Sequence, residues 1–239
     1  MSFHATHPYA ITFEEVALKF DTGPVIFRNI SFAIPTGSFH FLTGPSGAGK
    51  SSLLKLIYLT QFPSEGVVKM FGHDTASIDR YDVPVFRRNI GVVFQDFRLI
   101  EHLSVQDNVA LPLIIRGESP KNARERAAEL LGWVGLPDHA RAFPKALSGG
   151  QQQRVAIARA VITRPPILLA DEPTGNVDDA NAVKLLYLFE ELNKGGTTVV
   201  VATHNRSLAK EFPYPELYLG QGRLTLNRNS SSTKSVKEA

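Results

Sequence analysis

The chain has 239 residues, 43% of them hydrophobic and 21% charged, the balance of an ordinary soluble globular protein with a substantial core. A formal charge of +3 is too mild to argue for a nucleic-acid partner, and the lack of cysteine excludes disulfides and thiolate metal sites. No apolar run approaches the roughly 20 residues needed to cross a bilayer, and the N-terminus lacks the regions of a signal peptide. If a membrane is involved, another chain must span it.

The first third reads as strands. ITFEEVALKF (11–20) and VIFRNISFAI (25–34) carry aromatic and β-branched residues in partly alternating patterns, which predicts antiparallel strands with one wet face. Four short apolar runs are then expected to be buried on both sides: FHFLTG (39–44), IGVVFQ (90–95), ILLADE (167–172) and TTVVVATH (197–204). Long, largely helical segments separate them, so the pattern predicts a mainly parallel sheet with crossover helices, an α/β fold. From Pro120 to Val134 apolar residues recur at Ala123, Ala127, Leu130, Leu131 and Val134, a helical spacing with Ser119 as N-cap and Pro120 at the first helical position. Residues 96–160 are read as a helical insertion in a single domain spanning 1–226. The tail 227–239, NRNSSSTKSVKEA, has almost nothing to bury and is expected to be disordered.

Function follows from where the four buried runs end. Ligands of a doubly wound sheet sit outside the carboxyl ends of its parallel strands. Here one run ends in the glycine loop GPSGAGKS (44–51), one in Gln95, one in Asp171-Glu172 and one in His204. Gly44, Pro45, Ser46, Gly47, Ala48, Gly49, Lys50, Ser51 and Ser52 form a phosphate cradle whose backbone amides close around oxygens, and the helix SSLLKLIYLT aims its positive end at the same anion. Lys50 should reach the β- and γ-phosphates of ATP, and the Ser51 hydroxyl should ligate Mg²⁺. Asp171 is placed to hold that ion, and Glu172 to orient and polarise the attacking water. Gln95 could touch both metal and water, while His204 is a donor suited to the γ-phosphate as its charge rises. Phe20, near the end of the first strand segment, could stack on adenine.

A second turn of this kind lies about a hundred residues on. In LSGGQ (147–151), Ser148 should cap the helix GGQQQRVAIARAVIT, with Gly149, Gly150 and Gln151 forming another anion site at a positive helix end. Val155, Ala158 and Ile162 should bury one face of that helix. One triphosphate needs only one enclosing loop, so the economical reading is that Ser148 completes a site on another copy.

The phosphate loop, Gln95, LSGGQ, ILLADE and His204, in that order, resemble the nucleotide-binding subunit of an ABC ATPase, over about residues 10–226. The resemblance implies a P-loop ABC domain with a mainly parallel core sheet, an antiparallel β subdomain and a helical subdomain. It also implies an ATP-dependent head-to-tail homodimer in which each signature turn faces the other copy's phosphate loop. Asn176-Val177-Asp178 matches the family's D-loop, which lies across that interface. Phe20 falls where the family usually has the adenine-stacking Tyr. Ser52, Val177 and Asn205 replace the more frequent Thr, Leu and Asp.

DEPTGNVD (171–178) is similar to the branch of lipoprotein-release, macrolide-export and cell-division ATPases, and the flanking stretches look most like the cell-division members. That implies a polytopic membrane partner, FtsX, and a peripheral place on the cytoplasmic side of the bacterial inner membrane, at the division septum. ATP-driven closure would act through FtsX on cell-wall hydrolases, with room for contacts to other divisome proteins. The alternatives are the motor of a lipoprotein or macrolide exporter, or a soluble ABC ATPase without a membrane partner. Apolar residues between Gln95 and Ser119, among them Phe97, Leu99, Val109, Leu113 and Ile115, are expected to divide between subdomain core and a groove for a partner helix.

Overall fold

The computed structural model describes residues 7–19, 23–175 and 179–227. Phe20, the Asn176-Val177-Asp178 segment and the tail beyond Asn227 therefore lie outside the described residues.

β1 (Tyr9–Lys19) pairs antiparallel with β2 (Val25–Pro35) on one side and β4 (Glu65–Met70) on the other. With β5 (His73–Asp74) they make a four-stranded sheet in the order β2-β1-β4-β5. The stacked rings of Phe13 and Phe32, 4.5 Å between centroids, lock one cross-strand pair. One wet face was too simple an expectation for β1. Register shifts along both of its pairings interrupt the alternation, and Val16, Ala17 and Leu18 are buried in succession.

The second sheet has six strands in the order β10-β9-β3-β8-β7-β6. Its centre comprises the four apolar runs: β3 (Phe39–Thr43), β6 (Ile90–Val93), β7 (Ile167–Asp171) and β8 (Thr198–Thr203), with parallel pairing β3-β8-β7-β6. Burial on both faces explains why these strands are continuously apolar. Ile167 and Leu169 of β7, Val200 and Ala202 of β8 and Leu42 of β3 face the β-subdomain and α1 (Lys50–Ile57). Their neighbours Leu168, Ala170, Val199, Val201, Phe39 and Phe41 face the opposite layer, which includes α6 (Asp179–Lys194). Two strands of this sheet were not read from the sequence: β9 (Glu216–Gly220), parallel to β3, and β10 (Arg223–Asn227), antiparallel on the edge. Short helices α2 (Val83–Arg87) and α7 (Arg206–Glu211) complete the α/β core.

Three helices, α3 (Val105–Ile115), α4 (Pro120–Trp133) and α5 (Gly149–Val161), enclose a core of their own. Ser119 caps α4 by accepting the amide of Asn122, with Pro120 in the first turn. Val109 and Leu113 are buried in this core, Leu99 and Ile114 pack against it, and Ile115 is exposed. α5 belongs to two layers. Val155, Ala158 and Ile162 face α3 and α4, whereas Ile157, Ala160 and Val161 face the central sheet. No helix among the described residues is long and apolar enough to cross a membrane.

Candidate active site

Register places the ends of the central strands on one rim. Thr43 of β3 pairs with Thr203 of β8, so Gly44 and His204 emerge side by side. Asp171 of β7 pairs with Ala202, and Val93 of β6 with Ala170, so Glu172 and the turn carrying Gln95 follow on the same edge.

The phosphate loop is shaped by what surrounds it. Gly44 has φ +152°, and a Cβ there would sit 2.1 Å from the carbonyl oxygen of Leu219 on β9. Gly49, at φ +100°, is the N-cap of α1, and its Cβ would meet Ile26 at 2.5 Å. No side chain caps α1, which leaves its positive end to an anion. Pro45, Ser46 and Gly47 form the exposed lip, Ala48, Gly49, Ser51 and Ser52 are half-buried, and Gly44 and Lys50 are buried.

Lys50 is only 7% exposed, and its ammonium is satisfied locally. It donates to the carbonyls of Gly44 (3.0 Å) and Pro45 (3.3 Å) and lies 3.4 Å from Glu172 Oε1. Glu172 is held in a left-handed conformation, φ 48°, with its amide bonded to Ala202 O at 2.9 Å. Its Oε2 accepts the His204 amide (3.3 Å) and lies 2.8 Å from His204 Nδ1. Three strand ends thus converge on one carboxylate.

Asp171 sits behind Glu172. Burial pushes its carboxyl above the usual carboxylate range. A hydrogen bond with Ser51 opposes that rise, the neighbouring Glu172 adds to it, and Lys50 and Lys55 pull the other way. Its Oδ1 is buried without a hydrogen-bond partner. A buried, unpaired carboxylate oxygen beside a serine hydroxyl is the donor set that suits Mg²⁺, which takes one or two carboxylates together with phosphate oxygens and water. Among the described residues no group of three or more His, Asp or Glu forms an all-protein metal cage, and Mg²⁺ with a triphosphate does not require one.

Gln95 is exposed in the turn after β6, and among the described residues its side chain joins neither Lys50, Glu172 nor His204. The signature turn stands apart as well. Ser148 Oγ accepts the Gln151 amide (3.3 Å), and Gln151 Oε1 accepts the Ser148 amide (2.9 Å), a reciprocal capping box. Gln151 Nε2 lies 3.1 Å from His139 Nε2. Ser148 and Gly149 are exposed, and nothing lies within 4 Å of where a Cβ on Gly149 would be. A cavity of about 780 Å³ borders Ser148, Gly150 and Gln151, but its far wall is Lys184 and Tyr187 of α6, and no phosphate-loop residue lines it.

Sequence reasoning missed the anchor behind the loop. Glu216, at the start of β9, accepts hydrogen bonds from Thr43 Oγ1 (2.5 Å), Arg206 Nε (3.0 Å) and Asn227 Nδ2 (3.1 Å). Burial alone would push its carboxyl up, but the hydrogen bonds from Arg206, Thr43 and Asn227, with the Arg206 charge, hold it below the usual range. The network ties the last residue before the phosphate loop to the segment just after His204. Its members are scattered in sequence and form no motif, so no local signal could have found them.

A model of the ABC transporter family matches residues 27–175. The cell division ATP-binding protein FtsE of Escherichia coli K12 is 48% identical over 214 residues, 90% of this chain and 96% of that protein. FtsE of Bacillus subtilis is 44% identical over 198 residues, 83% and 87% of the two chains. Among solved structures, the dimeric ATP-binding cassette MJ0796 in a post-hydrolysis state with ADP and Pi superposes with a TM-score of 0.85 at 37% identity, covering 92% of this chain and 98% of that one. With the phosphate loop, the strand-end carboxylates and the signature turn in their order, the chain belongs to the ABC transporter family, as one of its ATP-binding, ATP-hydrolysing subunits.

Proposed function

We propose that two copies of this chain clasp two ATP molecules head to tail, and that closure and opening of this clasp drive a membrane-embedded partner in bacterial cell division. The observation that carries the clasp is Gly149. Gly149 is the first residue of α5, and nothing in this chain crowds that position or holds it at positive φ, so the fold itself does not require glycine there. The reason for a glycine there lies outside the chain, in the close approach of a phosphate held by another copy. The exposed, pre-capped end of α5 supports the same reading, as does the dimeric state named for the MJ0796 cassette.

Within each site, ATP binding draws Lys50 from the Gly44 and Pro45 carbonyls and from Glu172 toward the β- and γ-phosphates. Amides of residues 44–52 and the α1 terminus hold the phosphate oxygens, and Phe20 stacks on the base. Ser51, Asp171 and Gln95 would hold Mg²⁺, which neutralises charge on the transferring phosphoryl group. Glu172, released by Lys50, orients the attacking water together with Gln95. His204 donates to the γ-phosphate as charge develops. Ser148, Gly149, Gly150 and Gln151 of the second copy close the opposite side.

The cell-division role rests on relatives named for it, over nine-tenths of the chain in the E. coli case. On this reading the protein works peripherally on the cytoplasmic side of the inner membrane, at the septum, with FtsX as the polytopic partner. The test is Glu172→Gln. This variant should bind ATP, lose turnover by about a hundredfold or more, and accumulate as an ATP-bound dimer in light scattering. A strictly monomeric variant, at high protein and ATP concentration and with the membrane partner present, would reject the clasp. The copurifying membrane protein decides the role: a lipoprotein-release pair or fusion pump in place of FtsX would reject division.

A further inference from the structure

Gln95 reaches the rim on a turn of unusual backbone. Phe97 and Arg98, consecutive non-glycine residues, both have positive φ, 58° and 49°. Such conformations persist only where the surroundings impose them. Locally the turn is tied by the Phe97 amide to Phe94 O at 3.1 Å and by the Arg98 guanidinium over the Phe94 ring at 4.3 Å, with the Arg98 Nε 3.1 Å from Asp96 Oδ1. Among the described residues the carbonyls of both strained residues are held from afar by a single side chain. Arg159 of α5 donates from Nη2 to Phe97 O (2.7 Å) and from Nη1 to Arg98 O (2.6 Å), spanning both strained residues with one planar fork.

The base of that fork is firmly seated. Next to Arg159, the Ala160 carbonyl lies so near β6 that a Cβ on Gly91 would approach it to 2.4 Å. α5 therefore packs directly on the strand that leads to Gln95. The opposite end of α5 is Ser148, eleven residues from Arg159, or about 16 Å along a helix. One rigid element carries the signature turn at its first end and grips the Gln95 turn near its last.

We infer that Arg159 is a positioning residue that holds Gln95 at the chain's own nucleotide and joins it, through α5, to the signature turn that meets the other copy's nucleotide. The inference rests on the roles proposed for Gln95 and Ser148. It gives the two ATP sites of the dimer a mechanical connection inside each protomer. A displacement of Ser148 on engaging one nucleotide moves the fork that holds Gln95 beside the other.

The test is a double-mutant cycle in the full-length protein with its membrane partner, using Arg159→Lys, Gln95→Ala and the pair. Lysine keeps the charge but cannot bridge both carbonyls as a fork does. Arg159→Lys should lower kcat about fivefold with KM for ATP within about twofold, Gln95→Ala should lower kcat about tenfold or more, and the pair should match Gln95→Ala alone. Effects that multiply in the pair would overturn the inference and leave the Gln95 role standing. An unchanged kcat in Gln95→Ala would reject that role and the inference with it. Hydrogen exchange gives a readout independent of turnover: Arg159→Lys should speed exchange in segment 94–100 while β7 and β8 remain protected. Equal exchange in variant and parent would overturn the clamp. Should Arg159→Lys fail to fold, Arg159→Gln, which retains an amide donor toward the same carbonyls, is read in the same two ways.

Discussion

The N-termini of α1 and α5 are built from similar letters and do opposite things. Both have glycines at or beside their first turn, and both point a positive helix end outward from the fold. At α1 Gly44 and Gly49 are demanded by the chain itself, because β9 and Ile26 occupy the space a Cβ would need, and no side chain caps the helix. That end is incomplete until an anion arrives. At α5 the capping box engages the amides of Ser148 and Gln151 but not those of Gly149 and Gly150, and the space around Gly149 is open. That end is held in shape by its own side chains, and its glycine becomes useful only when something external comes close. A glycine explained within its own chain marks a site the chain builds alone. Gly149 lacks such an explanation, which fits the proposal that the start of α5 is shaped for another copy.

The sharpest way to break this comparison is Gly44→Ala. With backbone at 2.1 Å and φ in a region that side chains avoid, the substitution should destabilise the fold by about 3 kcal/mol and abolish ATP binding. Urea unfolding and nucleotide titration check it, and a normally stable, ATP-binding variant would mean the loop is not wedged by β9.

Next in size is an acid effect on the strand that delivers the loop. His40 of β3 is buried, and its pKa is lowered from 6.5 to about 4 by desolvation. Between these values the unfolded chain takes up a proton that the folded chain refuses. Stability should therefore fall as pH drops through this window, by on the order of 3 kcal/mol when complete. Replacing His40 with Leu should flatten the decline measured by urea unfolding at pH 7.5 and pH 5. An equally steep decline in that variant would assign it to other groups.

The smallest effects separate stability from activity at α5. Ser148→Ala removes a cap and should destabilise by about 1 kcal/mol. Gly149→Ala should stabilise by up to about 1 kcal/mol. Both should lower ATPase turnover, because both alter the surface offered to the second nucleotide. Full turnover in a stabilised Gly149→Ala protein would show that nothing approaches that glycine.

The two helix ends also differ in how legible they were. The GPSGAGKS loop and its flanking strand and helix were readable because local backbone freedom, a short apolar run and a helix start are encoded by neighbours in sequence. The cap at Ser148, the helix beginning at Pro120 and the four central strands were readable for the same reason. β9 was missed, although it supplies the wall that makes Gly44 necessary, because ELYLG lies beyond the last motif and has no chemistry of its own to draw attention. The second buried face of α5 was missed because its apolar residues are too many for one amphipathic stripe. That surplus was itself a sign of a helix shared by two layers.

By itself the sequence determined which segments could be strands, helices and anion-binding turns, since periodicity and backbone preference act over a few residues. Only the tertiary structure decided that Lys50 rests on Glu172, that one oxygen of Asp171 is left unpaired, that Glu216 gathers Thr43, Arg206 and Asn227, and that Arg159 grips the Gln95 turn. Those contacts join residues far apart in the chain. They are set by strand order, register and helix seating, which no local pattern encodes.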